Sequence, residues 1–229
     1  MTALVVLPGL DGTATLHSEF CAAASHSFGS VTVIPYPPQQ SLDYRTLEAL
    51  VRAALPATET FVLLGESFSG PIVLSIAADP PTNLIGVVLS TRFDRPPVPR
   101  LSPFAALARF APVRLVPLSM LSWWLLGRWE TPELKASLQG ALRAVSPSVL
   151  RFRAATALRT KTPALAAISV PVLYLRATED RLLAASAGEH ICSSVPQCTI
   201  TDIAGPHLLL QAAPDACVRA IGDFVRHLG

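Results

Sequence analysis

The feature that most limits how this chain can fold is a regular alternation of two apolar patterns. Four short runs rich in β-branched residues, at 4–7, 31–34, 61–64 and 84–89, are separated by segments whose apolar residues recur three and four positions apart. The separating segments, 16–25, 42–55 and 69–78, predict helices; in the second, Leu47, Leu50, Val51 and Leu55 mark one face. Strand followed by helix, three times over, implies a mostly parallel sheet with helices on both sides, because parallel neighbours need a crossover and that crossover is right-handed. The strand runs are continuously apolar, as strands covered on both faces require, and a composition 51% apolar and 15% charged agrees with such a core.

The pattern resumes after residue 165, with a strand over 170–175, a helix over 182–192, a strand over 198–203 and a final helix over 208–228. That makes six strands in an α/β fold. The intervening stretch opens with Pro96, Pro97, Pro99 and Pro103 and then carries helical patterns at 104–110, 118–129, 132–145 and 147–158. The 229 residues therefore divide into a core of residues 1–90 and 166–229 and a helical lid, 91–165, inserted after the fourth strand.

Cys21, Cys192, Cys198 and Cys217 show no C-x-x-C spacing and are too few for a disulfide framework, so all four are expected as reduced thiols, with a Cys192–Cys198 pairing as the alternative for a secreted chain. The N-terminus reads Met1-Thr2-Ala3-Leu4, without the basic and apolar regions of a secretory signal, and a cytoplasmic location is expected. The longest uncharged apolar stretch, 115–127, is shorter than the roughly 18 residues that span a bilayer.

The chemistry concentrates where strands end. Phe61-Val62-Leu63-Leu64-Gly65-Glu66-Ser67-Phe68-Ser69-Gly70 reads as strand, tight turn and helix start, with a serine at the apex. A nucleophilic hydroxyl has to stand clear of the sheet on a strained turn, so the residues two before and two after it must be small; Gly65 and Ser69 fill those places. The usual G-x-S-x-G is here G-x-S-x-S, with Gly70 one place late. An acid and then a histidine should follow on loops after later strands. Asp180 lies just beyond the strand at 170–175, with Glu179 as the competing acid, and His207 lies beyond the last strand after Gly205 and Pro206. His17, His26, His190 and His227 sit in or beside helices and fit that place poorly. An oxyanion hole needs two backbone N–H groups, one from Phe68 directly after the serine and one, at Leu10, from the turn Leu7-Pro8-Gly9-Leu10-Asp11-Gly12-Thr13.

With both turns in view, the chain resembles the α/β-hydrolase superfamily from the first turn to the final helix. The two motifs are similar to those of small bacterial serine carboxylesterases and of the hydrolase-like part of plant phytyl ester synthases. The resemblance implies a Ser67, His207, Asp180 triad, an acyl-enzyme mechanism and no metal or cofactor. The sequence departs from the superfamily where Pro8-Gly9 replaces a frequent His-Gly, and its first run already leads into the oxyanion turn, so two customary preceding strands are not expected.

The region 91–165 holds 12 of the 18 Lys and Arg residues and three acids, Asp94, Glu130 and Glu133. A basic surface over an entrance concentrates anions. Pimeloyl-acyl-carrier-protein methyl esterases share the superfamily's fold and a lid, so a carrier-linked acyl ester, with acyl carrier protein docked on the lid, is an alternative to a small-molecule ester. An acyl thioesterase, an acyltransferase and a non-catalytic hydrolase-fold binding protein are further alternatives. A net charge of +2 without a binding motif argues against nucleic acid. Trp123, Trp124 and Trp129 all fall in the lid and are expected to wall an acyl pocket.

Overall fold

The computed structural model describes residues 2–92, 117–159, 165–184 and 186–228. Six strands, β1 (Ala3–Leu7), β2 (Ser30–Val33), β3 (Phe61–Glu66), β4 (Leu84–Ser90), β5 (Val172–Ala177) and β6 (Cys198–Ile203), form one sheet in the order β2-β1-β3-β4-β5-β6, every pair parallel. The helices between them are α1 (Ser18–Ala24), α2 (Tyr44–Ala54) and α3 (Gly70–Ala78), and then α4 (Leu118–Leu125), α5 (Pro132–Ala144) and α6 (Pro147–Arg159), all inserted after the fourth strand. After β5 come α7 (Ser186–Ser194), α8 (Leu209–Ala212) and α9 (Pro214–Arg226). This is the α/β architecture that the alternation predicts.

Successive strand residues point to opposite faces, and here both faces are covered. Ala3, Val5 and Leu7 of β1 join Phe61 and Leu63 of β3 in one core with α2 and α3, while Leu4, Val6, Val62 and Leu64 join a second core with α1 and α9. Full burial of each such aliphatic side chain stabilises the fold by about 1.5–3 kcal/mol. In the central strands neither face can spare an apolar residue, which is why their runs are unbroken, whereas the edge strands β2 and β6 are only partly buried and carry polar residues.

The chain order also positions the site. After β1 the chain moves to the sheet edge as β2 and then returns past β1 to lay down β3, so β1 and β3 become neighbours whose following loops open side by side. Leu7, the last residue of β1, pairs in register with Gly65. A sheet of this kind binds its ligands in the crevice at such a reversal point.

Three local expectations are corrected. The helix expected over 182–192 begins only at Ser186, because the Asp180 carboxylate accepts the N–H groups of Leu182 and Leu183 and holds that stretch as a turn. The final helix is broken into α8 and α9, since Pro214 cannot continue α8 but suits the first turn of α9. The helix expected over 118–129 stops at Leu125, where Gly127, at φ 57°, turns the chain into a short 3-10 segment. The helix expected at 104–110 lies outside the described residues.

The cysteines require a fourth correction. Cys192, in the last turns of α7, and Cys198, the first residue of β6, form a disulfide with their Cα atoms 4.9 Å apart, while Cys21 and Cys217 are free thiols. The pairing that the sequence offered only for a secreted chain is made here because the helix-to-strand reversal brings the two Cα atoms within bonding range. Among the described residues no helix is long and apolar enough to cross a membrane.

Candidate active site

Ser67 sits at the end of β3, where the chain turns through a 3-10 segment (Ser67–Ser69) into α3. Its φ is 45°, the left-handed region that a residue with a Cβ enters only under constraint. The turn is tight enough that a Cβ on Gly65 would lie 2.5 Å from Val73 Cγ2, so glycine is required two residues before the serine. The strain holds the hydroxyl out above the strand ends.

His207 comes from the loop after β6 and places Nε2 3.0 Å from Ser67 Oγ. Asp180 comes from the loop after β5, and its Oδ2 lies 2.8 Å from His207 Nδ1. The other carboxylate oxygen of Asp180 accepts from Leu182 N–H at 2.7 Å and Leu183 N–H at 3.0 Å, so the group is fixed from behind. The His207 and Asp180 side chains are almost fully buried. Glu179, the competing acid, turns the other way into a two-pronged pair with Arg128, at 2.6 and 2.7 Å, which holds its carboxyl below the usual range.

The turn after β1 passes beside this serine. Every carbonyl from Pro8 to Gly12 is engaged: Pro8 accepts from Ser69 Oγ, Gly9 from Gly12 N–H at 3.0 Å, Leu10 and Asp11 from the Arg153 guanidinium, and Gly12 from Tyr36 N–H at 2.8 Å. Thr13 donates its backbone N–H and its hydroxyl to the Asp11 side chain. With each C=O fixed, the planar trans peptides fix the opposing N–H groups too, including that of Leu10. Ser69 explains the unusual motif. Its hydroxyl donates to Pro8 and receives the Tyr36 hydroxyl at 2.5 Å, so the side chain that replaces glycine ties the serine turn to the neighbouring loop.

Beneath the two turns lies a buried polar group that sequence reasoning missed. His17 Nε2 is 3.1 Å from Glu66 Oε2, with both side chains sealed from solvent, and Gln211 Nε2 reaches the same oxygen at 3.4 Å. Burial opposes either charge. The attraction between the two, with hydrogen bonds and nearby Asp11 on the His17 side, nevertheless raises the His17 pKa and lowers that of Glu66. For Asp11 burial dominates and pushes the carboxyl up. The signal was present in Glu66, an acid closing an otherwise apolar strand; its partner 49 positions away was not legible.

The inserted region reads differently in three dimensions than by composition. Arg92 and Arg153 are each only 1% exposed, and Arg128 and Lys135 are paired with Glu179 and Glu130. Arg143 and Arg159 remain exposed, whereas Arg95, Arg100, Arg109, Arg114 and Lys161 lie outside the described residues. Trp123 and Trp124 pack edge to face and are 55% and 43% exposed, with Arg181 stacked on Trp123; Trp129 is half-buried. Among the described residues no group of three or more His, Cys, Asp or Glu side chains is placed to hold a metal ion.

Comparison with solved structures places this architecture. MenH from S. aureus superposes with a TM-score of 0.81 at 16% identity, covering 99% of this chain and 94% of that one. A thermophilic esterase from Thermogutta terrifontis matches at 0.79 and 18%, covering 100% and 90%, and a hydrolase from Pseudomonas aeruginosa PA01 at 0.79 and 20%, covering 98% and 89%. The fold is that of the α/β-hydrolases. No protein-family model matches the chain, and no curated protein matches it. Within an α/β-hydrolase sheet, the loops after β1, β3, β5 and β6 form one rim, and that rim carries the Ser67, Asp180 and His207 cluster.

Proposed function

We propose that this chain is a serine hydrolase that cleaves carboxylic esters through an acyl-enzyme, with Ser67 as nucleophile, His207 as base and Asp180 as the residue that orients the base. The observation that carries this reading is the relay of 3.0 Å from Ser67 Oγ to His207 Nε2 and 2.8 Å from His207 Nδ1 to Asp180, on a serine held at φ 45°. Ser67 Oγ attacks the ester carbonyl as His207 Nε2 takes its proton, and Asp180 stabilises the imidazolium that forms. The N–H groups of Phe68 and Leu10 receive the tetrahedral oxyanion. His207 then protonates the departing alcohol, and water, activated by the same ring, releases the acid. Asp180, anchored by two backbone N–H groups, keeps Nδ1 as the donor side of the ring and leaves Nε2 free to accept.

The esterase among the structural neighbours supports an ester as substrate. Two of the lid's cations are buried and two are paired, so less of the basic surface is free to dock an acidic carrier than composition implies, and free esters are favoured over carrier-linked ones. The tryptophans of the lid belong to the same reading as the wall that sets acyl length. The test is hydrolysis of p-nitrophenyl esters from acetate to palmitate by wild type and Ser67→Ala. Turnover with a pre-steady-state burst, both lost in Ser67→Ala, is expected. Turnover that survives in Ser67→Ala overturns the assignment of the nucleophile, and absence of turnover on every ester overturns the carboxylesterase reading.

A further inference from the structure

Arg153 is the least expected residue near the site. It belongs to α6, in the inserted region, yet it is 1% exposed and reaches across the inserted helices to the first turn of the core. Its Nη1 donates to the carbonyls of Leu10, at 3.2 Å, and Asp11, at 2.6 Å, and its Nη2 donates to Pro37 at 3.1 Å. The guanidinium lies over the Tyr36 ring, 5.5 Å from its centre. Its hydrogen bonds go to three carbonyls and, among the described residues, to no carboxylate. Burying an unpaired guanidinium costs several kcal/mol, which apolar residues in the same space would avoid. A planar fork is, however, the side chain that can grip backbone carbonyls of two loops at once.

Those carbonyls matter because of where they are. Leu10 and Asp11 form the tip of the turn to which the serine-hydrolase reading assigns the second oxyanion donor, Leu10 N–H, and the remaining carbonyls of that turn are held by Ser69, Gly12 and Tyr36. Only the tip depends on the inserted region. Helix α6 is seated on the same side by Ser146 N–H donating to Pro38 at 3.0 Å, and Gly12, at φ 69°, leaves the space the guanidinium fills: a Cβ there would collide with Arg153 Nη1.

We propose that Arg153 is a positioning residue through which the oxyanion hole is complete only while α6 is seated, so that the inserted helices govern catalytic competence as well as access. This rests on the serine-hydrolase reading above. Arg153 touches no reacting atom; it acts at one remove, because the Asp11 carbonyl it holds shares its peptide plane with Gly12 N–H, which donates to the Gly9 carbonyl, and the Gly9 plane carries the Leu10 N–H. Loss of one oxyanion donor costs roughly 10²–10³ in kcat, and a donor left in place but loosely held should cost less.

The experiment compares wild type with Arg153→Met, Arg153→Lys and Arg151→Met, the last a neighbour on the same helix. Three quantities are read: kcat and KM on a short p-nitrophenyl ester, the rate constant for phosphonylation of Ser67 by a fluorophosphonate, and amide hydrogen exchange over residues 9–13. In phosphonylation the Ser67 oxygen bonds to phosphorus, fluoride leaves and the proton passes to His207, so the reaction reports the hole whatever the natural substrate. Arg153→Met should lower kcat and the phosphonylation rate together by about 10- to 100-fold, with KM within about threefold and faster exchange over 9–13. Arg153→Lys should fall between, and Arg151→Met should match wild type. If Arg153→Met does not fold, Arg153→Ala supplemented with free guanidinium replaces it, and recovery of the phosphonylation rate is expected. Lower thermal stability with both rates within threefold of wild type would reduce Arg153 to a packing residue and overturn the proposal. A wild type that is phosphonylated but hydrolyses no ester sinks the esterase reading alone, and one that is neither phosphonylated nor hydrolytic sinks both.

Discussion

Replacing Ser69 by glycine restores the commonest form of the serine-turn motif, and the structure predicts that it harms this protein. Ser69 Oγ donates to the Pro8 carbonyl and accepts from the Tyr36 hydroxyl; Ser69 and Tyr36 are 0% and 2% exposed, and Pro8 is buried. Removing the hydroxyl leaves one buried donor and one buried acceptor without partners, each costing about 1–3 kcal/mol. The glycine adds roughly 0.5–1 kcal/mol of backbone entropy. Slight collapse around the vacated volume recovers part of this, so a net loss of about 3 kcal/mol is expected. For a chain of this length each kcal/mol lowers Tm by about 2–4 °C, which gives a fall of about 6–12 °C. Ser69→Ala should lose nearly as much without the entropy cost. Tyr36→Phe, which spares the bond to Pro8, should lose about 1–2 kcal/mol, and the double variant Tyr36→Phe/Ser69→Ala less than the sum of the singles. Thermal melts and urea titrations of the four proteins close the cycle. A Ser69→Gly variant as stable as wild type, or additive losses in the double variant, would refute the claim that this hydroxyl ties the two turns together.

Three further outcomes follow from the same geometry. Asp180→Asn keeps the shape of the relay but leaves His207 Nδ1 free to become the acceptor, so kcat on any accepted ester should fall by about 10⁴ with KM little changed; a fall of less than tenfold would contradict Asp180 as the orienting acid. The His17–Glu66 pair stabilises the fold between two limits. The histidine's contribution is fully present below its unfolded pKa of 6.5 and is lost as pH rises through its raised folded value, and the glutamate's is present above 4.5 and lost as pH falls through its lowered folded value. Wild type should therefore lose more Tm than Glu66→Gln on going from neutral to alkaline pH, although Glu66→Gln is the less stable protein at pH 7; parallel melting curves across that range would count against a charged pair. Finally, thiol titration in denaturant should detect two thiols, Cys21 and Cys217, before reduction and all four cysteines after it, and four before reduction would rule out the Cys192–Cys198 bridge. In the native protein Cys217 should stay unreactive, since burial pushes its thiol up to about 12.

Much of the architecture was legible in the chain because the signals that carry it are local. The β-branched runs and the three-and-four spacing between them are consequences of the periods of strand and helix, so β1 to β4 and the helices α1 to α3 could be read directly. Ser67 announced itself through its small neighbours, and Asp180 and His207 through their places after strands. Pro214 and the Asp180 turn were local signals too, outweighed in the sequence reading by the apolar periodicity around them.

Pairings across long separations were decided only by the tertiary structure. Asp180 was already preferred to Glu179 in the sequence, but the way the two adjacent carboxylates part, one facing His207 and the other Arg128, is visible only in the fold. The His17–Glu66 pair, the Cys192–Cys198 bridge and the grip of Arg153 on the first turn join segments whose closeness comes from the order of strands and the seating of inserted helices. Composition counts Arg92 and Arg153 among the charges of a basic surface; burial makes them interior supports instead. A residue's type and local spacing determine what it can do, but whether a charge meets solvent, a carboxylate or a backbone carbonyl depends on which elements close over it, and that is a property of the packed whole.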